Sequence, residues 1–283
     1  GGSNPPLATK TFMKNLSFFC LTLNPEHEDV IKKLSYIPVG LGDKEFSNNC
    51  FTDKKGENIA IKNPNYGEYT FHYWIWKNYL DKIDTKWIGF CQYRKFFSEK
   101  KILENLNDFN LFNELLVKNI SGEYENYECI LGEKFSVENF KFSKIFKNHF
   151  FSFFLNPAVL FNKKKRNLKF HFDLFHGKGN LDLAIDMLDN DNKNDFRDFM
   201  NNKTSFNPHN MFICKKEVLI KYYEVIFPWL KKCEKIFGFS ELKGYGLKRI
   251  YGFLAERFLS YWFCKNFKIK ELPIIFKDLS DYR

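Results

Sequence analysis

The stretch Trp87-Ile88-Gly89-Phe90-Cys91 carries no polar side chain on either of its alternating faces. A strand with one wet face alternates apolar and polar residues. One that is apolar on both faces has to be covered on both, as in a parallel sheet between layers of helices. At its carboxyl end the chemistry changes to Gln92-Tyr93-Arg94-Lys95. Ligands of open α/β sheets sit at that end of the strands, and two cations there suit a phosphate or another anion. Just upstream, Asn63-Pro64-Asn65 and Gly67 signal a turn. Tyr69, Tyr73, Trp76 and Leu80 then recur at helical spacing as one apolar stripe. Glu68 and His72, four apart, share a different face near the helix start, where a carboxylate suits the helix dipole.

The rest of the chain repeats this alternation. Leu16–Leu23 reads as a buried first strand, Glu28–Leu34 as a short helix, and Tyr36–Gly42 as a second strand running into a glycine loop. A helix is predicted over Lys101–Ile120, a strand over Tyr127–Leu131, and a helix from about Asn180. Aromatics crowd residues 135–161 without clean periodicity. Met211–Cys214 reads as a short buried strand, Lys216–Phe237 as a helix, and the segment around Ile250–Trp262 as an interior helix. Ile269–Phe276 is expected as a last edge strand, because Pro273 argues against a central place. Strands alternating with helices from the N-terminus predict an α/β fold.

Composition narrows the function classes. Hydrophobic residues at 44% and charged residues at 28% are globular values in a chain of 283 residues. The net charge of +10 invites a nucleic-acid reading, yet lysines are spread along the chain and no recognition-helix or RNA-binding signature accompanies them. The one dense cluster, Lys163-Lys164-Lys165-Arg166, reads first as a solvated loop and second as a basic face against an anionic membrane leaflet. The seven cysteines (20, 50, 91, 129, 214, 233 and 264) show no metal-ligand spacing and fit a reducing cytoplasm. No apolar run reaches the roughly 18 residues of a membrane span. Gly1-Gly2-Ser3 looks like a cloning scar, and residues 1–12 are set aside as tag or linker.

Several of these segments together resemble a known family. Ile59, Lys62-Asn63-Pro64, Tyr66, Glu68 and Tyr73-Trp74-Ile75-Trp76-Lys77-Asn78 are followed by Trp87 to Phe97, then Asn210-Met211-Phe212-Ile213, then Arg249 and Gly252 to Arg257. This succession is similar to a family of bacterial capsule and O-antigen glycosyltransferases long filed as a domain of unknown function. Its motifs are a Glu-Leu-Thr-x-x-Tyr-Trp-x-Trp-Lys-Asn helix and a His-Tyr-Arg-Arg strand end. Gln92 stands here in place of the histidine and Lys95 in place of the second arginine. The resemblance runs from about residue 14 to about 265. It implies a GT-A-like single domain over 13–283, with a mostly parallel central sheet flanked by helices and a helical C-terminal part. Residues 13–135 would form the nucleotide-binding half and 136–283 the acceptor half. The implied activity is transfer of a sugar from a nucleotide donor, a UDP-sugar with furanoses among the candidates, to a hydroxyl of a growing capsular or lipopolysaccharide glycan. The implied setting is the cytoplasm, with peripheral contact with the inner membrane or other capsule-assembly enzymes, and no nucleic-acid partner. Two alternatives stay open: a non-catalytic carbohydrate-binding module, and a basic nucleic-acid-binding protein.

A sugar transferase binds a diphosphate, offsets its charge and, if it inverts, supplies a carboxylate to deprotonate the acceptor hydroxyl. Many GT-A enzymes hold the diphosphate through a metal on an Asp-x-Asp after a central strand. Here the sole such motif, Asp189-Asn190-Asp191, follows a helix and reads as a surface loop. A divalent metal is therefore predicted not to be essential, and Gln92, Tyr93 and Arg94 are expected at the strand tip, with Arg94 on the diphosphate. The competing role for Arg94 is an ion pair with Glu68. Asp182 is the first candidate base, Asp186 the second, one helical turn on, and Glu68 the third. His176 is a candidate for an acceptor hydroxyl or phosphate. Thr22, Gly40, Lys62, Asn63 and Asn210 complete the candidate substrate-binding set. Trp74 and Trp76 read as core, and Glu256 with Arg257 as an internal ion pair.

Overall fold

The computed structural model describes residues 15–102, 106–138, 166–240 and 242–282. Its strands are β1 (Leu16–Thr22), β2 (Ile37–Gly40), β3 (Phe51–Thr52), β4 (Trp87–Gln92), β5 (Lys95–Phe97), β6 (Cys129–Gly132), β7 (Phe135–Ser136), β8 (Ser205–Phe206), β9 (Phe212–Lys215), β10 (Ile269–Leu272) and β11 (Ile274–Phe276). The main sheet runs β10-β6-β9-β4-β1-β2-β3. Along this path β9 alone opposes its neighbours; the other pairings are parallel. The predicted α/β class with a mostly parallel sheet is thus the observed one.

Alternation along β1 and β4 explains the layering. Phe19, Leu21, Ile88 and Phe90 face one core, shared with the helices Tyr69–Asn78, Lys216–Phe237 and Ile250–Asn266. Leu16, Phe18, Cys20, Trp87 and Cys91 face a second core, closed by Val30, Ile31 and Leu34 and by Phe112. Gly89 sits where a Cβ would lie 3.0 Å from the Phe18 ring and 3.1 Å from Ile213. Its missing side chain lets both neighbours close over β4.

The helix Tyr69–Asn78 is buried over a wider arc than the single predicted stripe. Phe71, His72, Trp74 and Ile75 lie in the core beside Tyr69. His72 is not paired with Glu68: its Nδ1 meets the Tyr223 hydroxyl at 2.7 Å, which leaves Glu68 free to face elsewhere. Over the predicted helix 101–120 the described residues form a shorter one, Phe109–Leu115. Asp108 caps it by accepting the backbone N–H groups of Asn110 and Leu111. Past it, Val117 N–H donates to Phe97 O, and the chain is extended. The expected edge strand 269–276 is two strands. Pro273 divides β10, parallel to β6, from β11, which pairs antiparallel with β5. Asp189-Asn190-Asp191 is a helix start rather than a loop: Asp189 Oδ1 accepts the Asn192 N–H at 3.0 Å, and the helix Asn190–Asn202 follows.

Residues 1–12, most of the aromatic stretch 135–161 and the lysines of the 163–166 cluster lie outside the described residues. Among the described residues no helix is long and apolar enough to cross a membrane.

Candidate active site

The carboxyl ends of β1, β2 and β4 open into a cleft whose other wall is the turn before β9 and the start of the helix Ile250–Asn266. Glu68 lines it, its side chain 13% exposed. Three donors converge on the carboxylate. Gln92 Nε2 and Asn210 Nδ2 each donate to Oε1 at 3.0 Å, and Arg249 Nη2 donates to Oε2 at 3.2 Å. Gly67 makes room for that guanidinium: with φ at 59°, it has no Cβ where one would stand 2.2 Å from Arg249 Nη2. Elements far apart in sequence therefore meet on one side chain.

A second carboxylate, Glu256, supports the opposite wall. Its Oε1 accepts the backbone N–H of His209 at 2.6 Å, and Arg257 donates to its Oε2. Burial disfavours the Glu256 anion, but Arg257 and the His209 N–H outweigh it and hold the pKa below the usual carboxylate value. The turn it braces is unusual. His209 and Asn210 are consecutive non-glycine residues at φ 80° and 53°, a conformation that costs of order 1–3 kcal/mol each outside a supporting frame. Asn210 Nδ2 also donates to Gly252 O at 3.2 Å, which fixes the amide, and the buried Asn210 Oδ1 has no hydrogen-bond partner among the described residues.

The cations of the cleft differ in how they are held. Lys95 Nζ lies 3.0 Å from His209 Nδ1. Burial, and then Lys95 itself, push the His209 pKa down to about 4, so the ring is neutral near pH 7 and accepts from the ammonium. Burial also lowers the Lys95 pKa, against the pull of Glu68 and Glu256. Arg94 is different. Its guanidinium lies over the Tyr93 ring, 4.7 Å from the centroid, is exposed, and belongs to no ion pair among the described residues. Its backbone is fixed from both sides: Tyr93 N–H donates to Leu21 O, while Leu279 N–H and Lys277 N–H donate to Tyr93 O and Arg94 O.

Of the sequence-predicted residues, the cleft brings together Thr22, Asn63, Glu68, Gln92, Tyr93, Arg94 and Asn210. Thr22 Oγ1 is 2.8 Å from His27 Nδ1. Asn63 Nδ2 donates to Gly67 O and Thr70 Oγ1. Arg94 does not pair with Glu68; Arg249 holds that place. Gly40 stands back from the cleft, because the Phe46 ring fills the space where its side chain would be, and Leu41 lines the cleft instead. Lys62 is turned away into an ion pair with Glu234 at 2.6 Å. His176 is buried, its ring stacked 4.1 Å from Phe253 and its Nδ1 3.2 Å from Gly246 O. Asp182 and Asp186 do not line the cleft. Each is about half exposed and tied to a cation, Asp182 to Lys169 and Asp186 to Arg197.

Sequence reasoning passed over His209, Arg249 and Glu256 as site residues and took Lys95 only as one of two cations at the strand end. A signal was present for two of them. Arg249, Gly252, Phe253 and Glu256 stand at i, i+3, i+4 and i+7, one stripe along an otherwise apolar helix, and all four line the cleft.

The family model described as "Domain of unknown function (DUF4422)" matches residues 23–267. The chain belongs to this family. The match bears out the resemblance at family level and over nearly the expected span. No curated protein matches the DUF4422 chain. Among solved structures it is similar to the apo structure of a WbbM bifunctional glycosyltransferase, with a TM-score of 0.68 and 22% identity, over 93% of this chain and 45% of that one. At that identity the likeness speaks for the fold, and the chain spans less than half the length of that protein.

Proposed function

We propose that this DUF4422 chain is a glycosyltransferase that moves a sugar from a UDP-sugar to a glycan hydroxyl. The observation that carries the reading is Arg94: an exposed guanidinium on a hydrogen-bonded backbone at the tip of a central strand, in no ion pair among the described residues, within a cleft that also holds two largely buried carboxylates. A diphosphate is the ligand that fits such a fork. Arg249 and Lys95 add charge on either side. As the β-phosphate leaves with a growing negative charge, these fixed cations stabilise it without reorganising.

Glu68 serves as the base in this scheme. Asp182 and Asp186 lie on another surface, whereas Glu68 faces the cleft with its carboxylate fixed by Gln92, Asn210 and Arg249. It takes the proton of the acceptor hydroxyl as the oxygen attacks the anomeric carbon, which gives inversion. The likeness to a bifunctional glycosyltransferase supports the reading, as does the resemblance to capsule and O-antigen enzymes. A cytoplasmic setting, at the inner face of the membrane where such glycans are assembled, accords with both. The test is incubation with a panel of nucleotide sugars, scored by mass spectrometry for donor hydrolysis or transfer to capsule fragments. Turnover of a UDP-sugar is the expected result. No turnover of any donor, together with glycan binding that ignores nucleotide, identifies a carbohydrate-binding module instead.

A further inference from the structure

We infer that Phe276 and the hollow beside it form a subsite for the acceptor glycan, gripping the sugar next to the one that reacts; this rests on the transferase reading. Phe276 ends β11 with 65% of its surface exposed, while its neighbour Ile275, on the other face of the strand, is buried. A large exposed ring is unremarkable by itself. What distinguishes this one is its place. The β5–β11 register sets Phe276 opposite Lys95, and its ring meets His209 edge-on at 5.4 Å and 85°. His209 and Lys95 both line the cleft, so Phe276 continues its rim outward.

The chemistry of the adjoining hollow fits a sugar. Its lining includes Lys100, Lys101, Glu133, Pro273 and Ile274 as well as Phe276. Lys101 and Glu133 form an exposed pair at 3.7 Å, with polar atoms to spare. A pyranose presents C–H bonds on one face and hydroxyls around its edge. The face suits an aromatic ring and the edge suits charged and amide-like groups that donate and accept. Leu106 and Ile275 of the lining are buried, and Phe276 is the one large hydrophobic of the hollow that is exposed, too small an apolar area for a stable protein interface. A glycan entering over Phe276 would pass His209 and bring its terminal hydroxyl towards Glu68, whose partner Gln92 also donates to His209 O at 2.9 Å.

The test compares wild type, Phe276→Ala and Phe276→Trp. UDP is titrated first by calorimetry; octyl galactoside, octyl glucoside, lactoside and maltoside are then titrated into the UDP-saturated protein by saturation-transfer NMR. Phe276→Ala is expected to leave UDP affinity unchanged and to weaken the disaccharides about tenfold, the loss of one well-stacked ring. Phe276→Trp should restore binding, with a change in the new indole's emission as glycan is added. Disaccharide binding by Phe276→Ala equal to wild type, or wild-type protein that takes UDP but none of the glycosides, overturns the subsite and leaves the transferase reading standing. A wild-type protein that binds no UDP brings down both.

Discussion

Glu68→Gln separates the carboxylate's chemistry from its packing. The side chain accepts three hydrogen bonds and donates none, and an amide of the same shape cannot do that. If the glutamine oxygen faces Gln92 and Asn210, its NH₂ meets the Arg249 guanidinium. One charge-assisted hydrogen bond is then lost, worth about 1.5–3 kcal/mol when desolvated. Arg249 is 32% exposed, so water recovers part of this and the net cost is about 1 kcal/mol. The flipped amide abandons two neutral hydrogen bonds and is the worse choice. The melting temperature should therefore fall by only a few degrees. Release of UDP from the preferred donor, followed in the presence of acceptor, should fall by roughly 10²- to 10⁴-fold, the usual contribution of a positioned base. UDP affinity, read by calorimetry, should hold. Wild-type turnover in a folded Glu68→Gln protein refutes the base assignment. A collapse of UDP affinity instead makes Glu68 part of the donor's scaffold.

Further outcomes follow from the same structure. His209, His72, His176 and His171 are held neutral by burial, with pKa values pushed down to about 4, 3, 3 and 2. Below the ordinary histidine value the unfolded chain binds protons that the native chain refuses, so stability present at neutral pH is lost as pH falls from about 6.5 through those values. Thermal melts should drop steeply between pH 7 and pH 5, and a flat profile there contradicts the burial. Gly67→Ala forces an L side chain into φ 59° against Arg249, so it should cost about 1–3 kcal/mol and loosen the grip on Glu68, visible as a lower melting temperature and slower turnover. Turnover is expected to persist in EDTA, because Arg94, Arg249 and Lys95 bring positive charge to the cleft; complete loss with rescue by Mn²⁺ or Mg²⁺ refutes this.

The fold was legible where one side-chain period dominated. The doubly apolar run at Trp87 announced a central strand, whereas Pro273, read as the mark of a single edge strand, divides two. The helix over 101–120 was overdrawn because spaced leucines and phenylalanines look alike in a helix and in an extended segment against a core. The position of Arg94 on the candidate cleft was legible where an apolar strand gives way to charge. The candidate site was misread at Asp182 and Asp186, because density of charge along the chain says nothing of which way a helix face turns; theirs turns to Lys169 and Arg197. Glu256 and Arg257 were read as an internal pair, which they are. What sequence could not show is that the carboxylate's other oxygen holds His209 and shapes the wall of the cleft.

If Arg94 grips a nucleoside diphosphate, calorimetric titration of UDP into wild type and Arg94→Ala will show it. Arg94 makes no ion pair among the described residues and is exposed, so its loss should leave the fold and melting temperature intact. UDP binding should weaken by about 1.5–3 kcal/mol, roughly 10- to 150-fold in Kd. Equal affinity in the two well-folded proteins contradicts it.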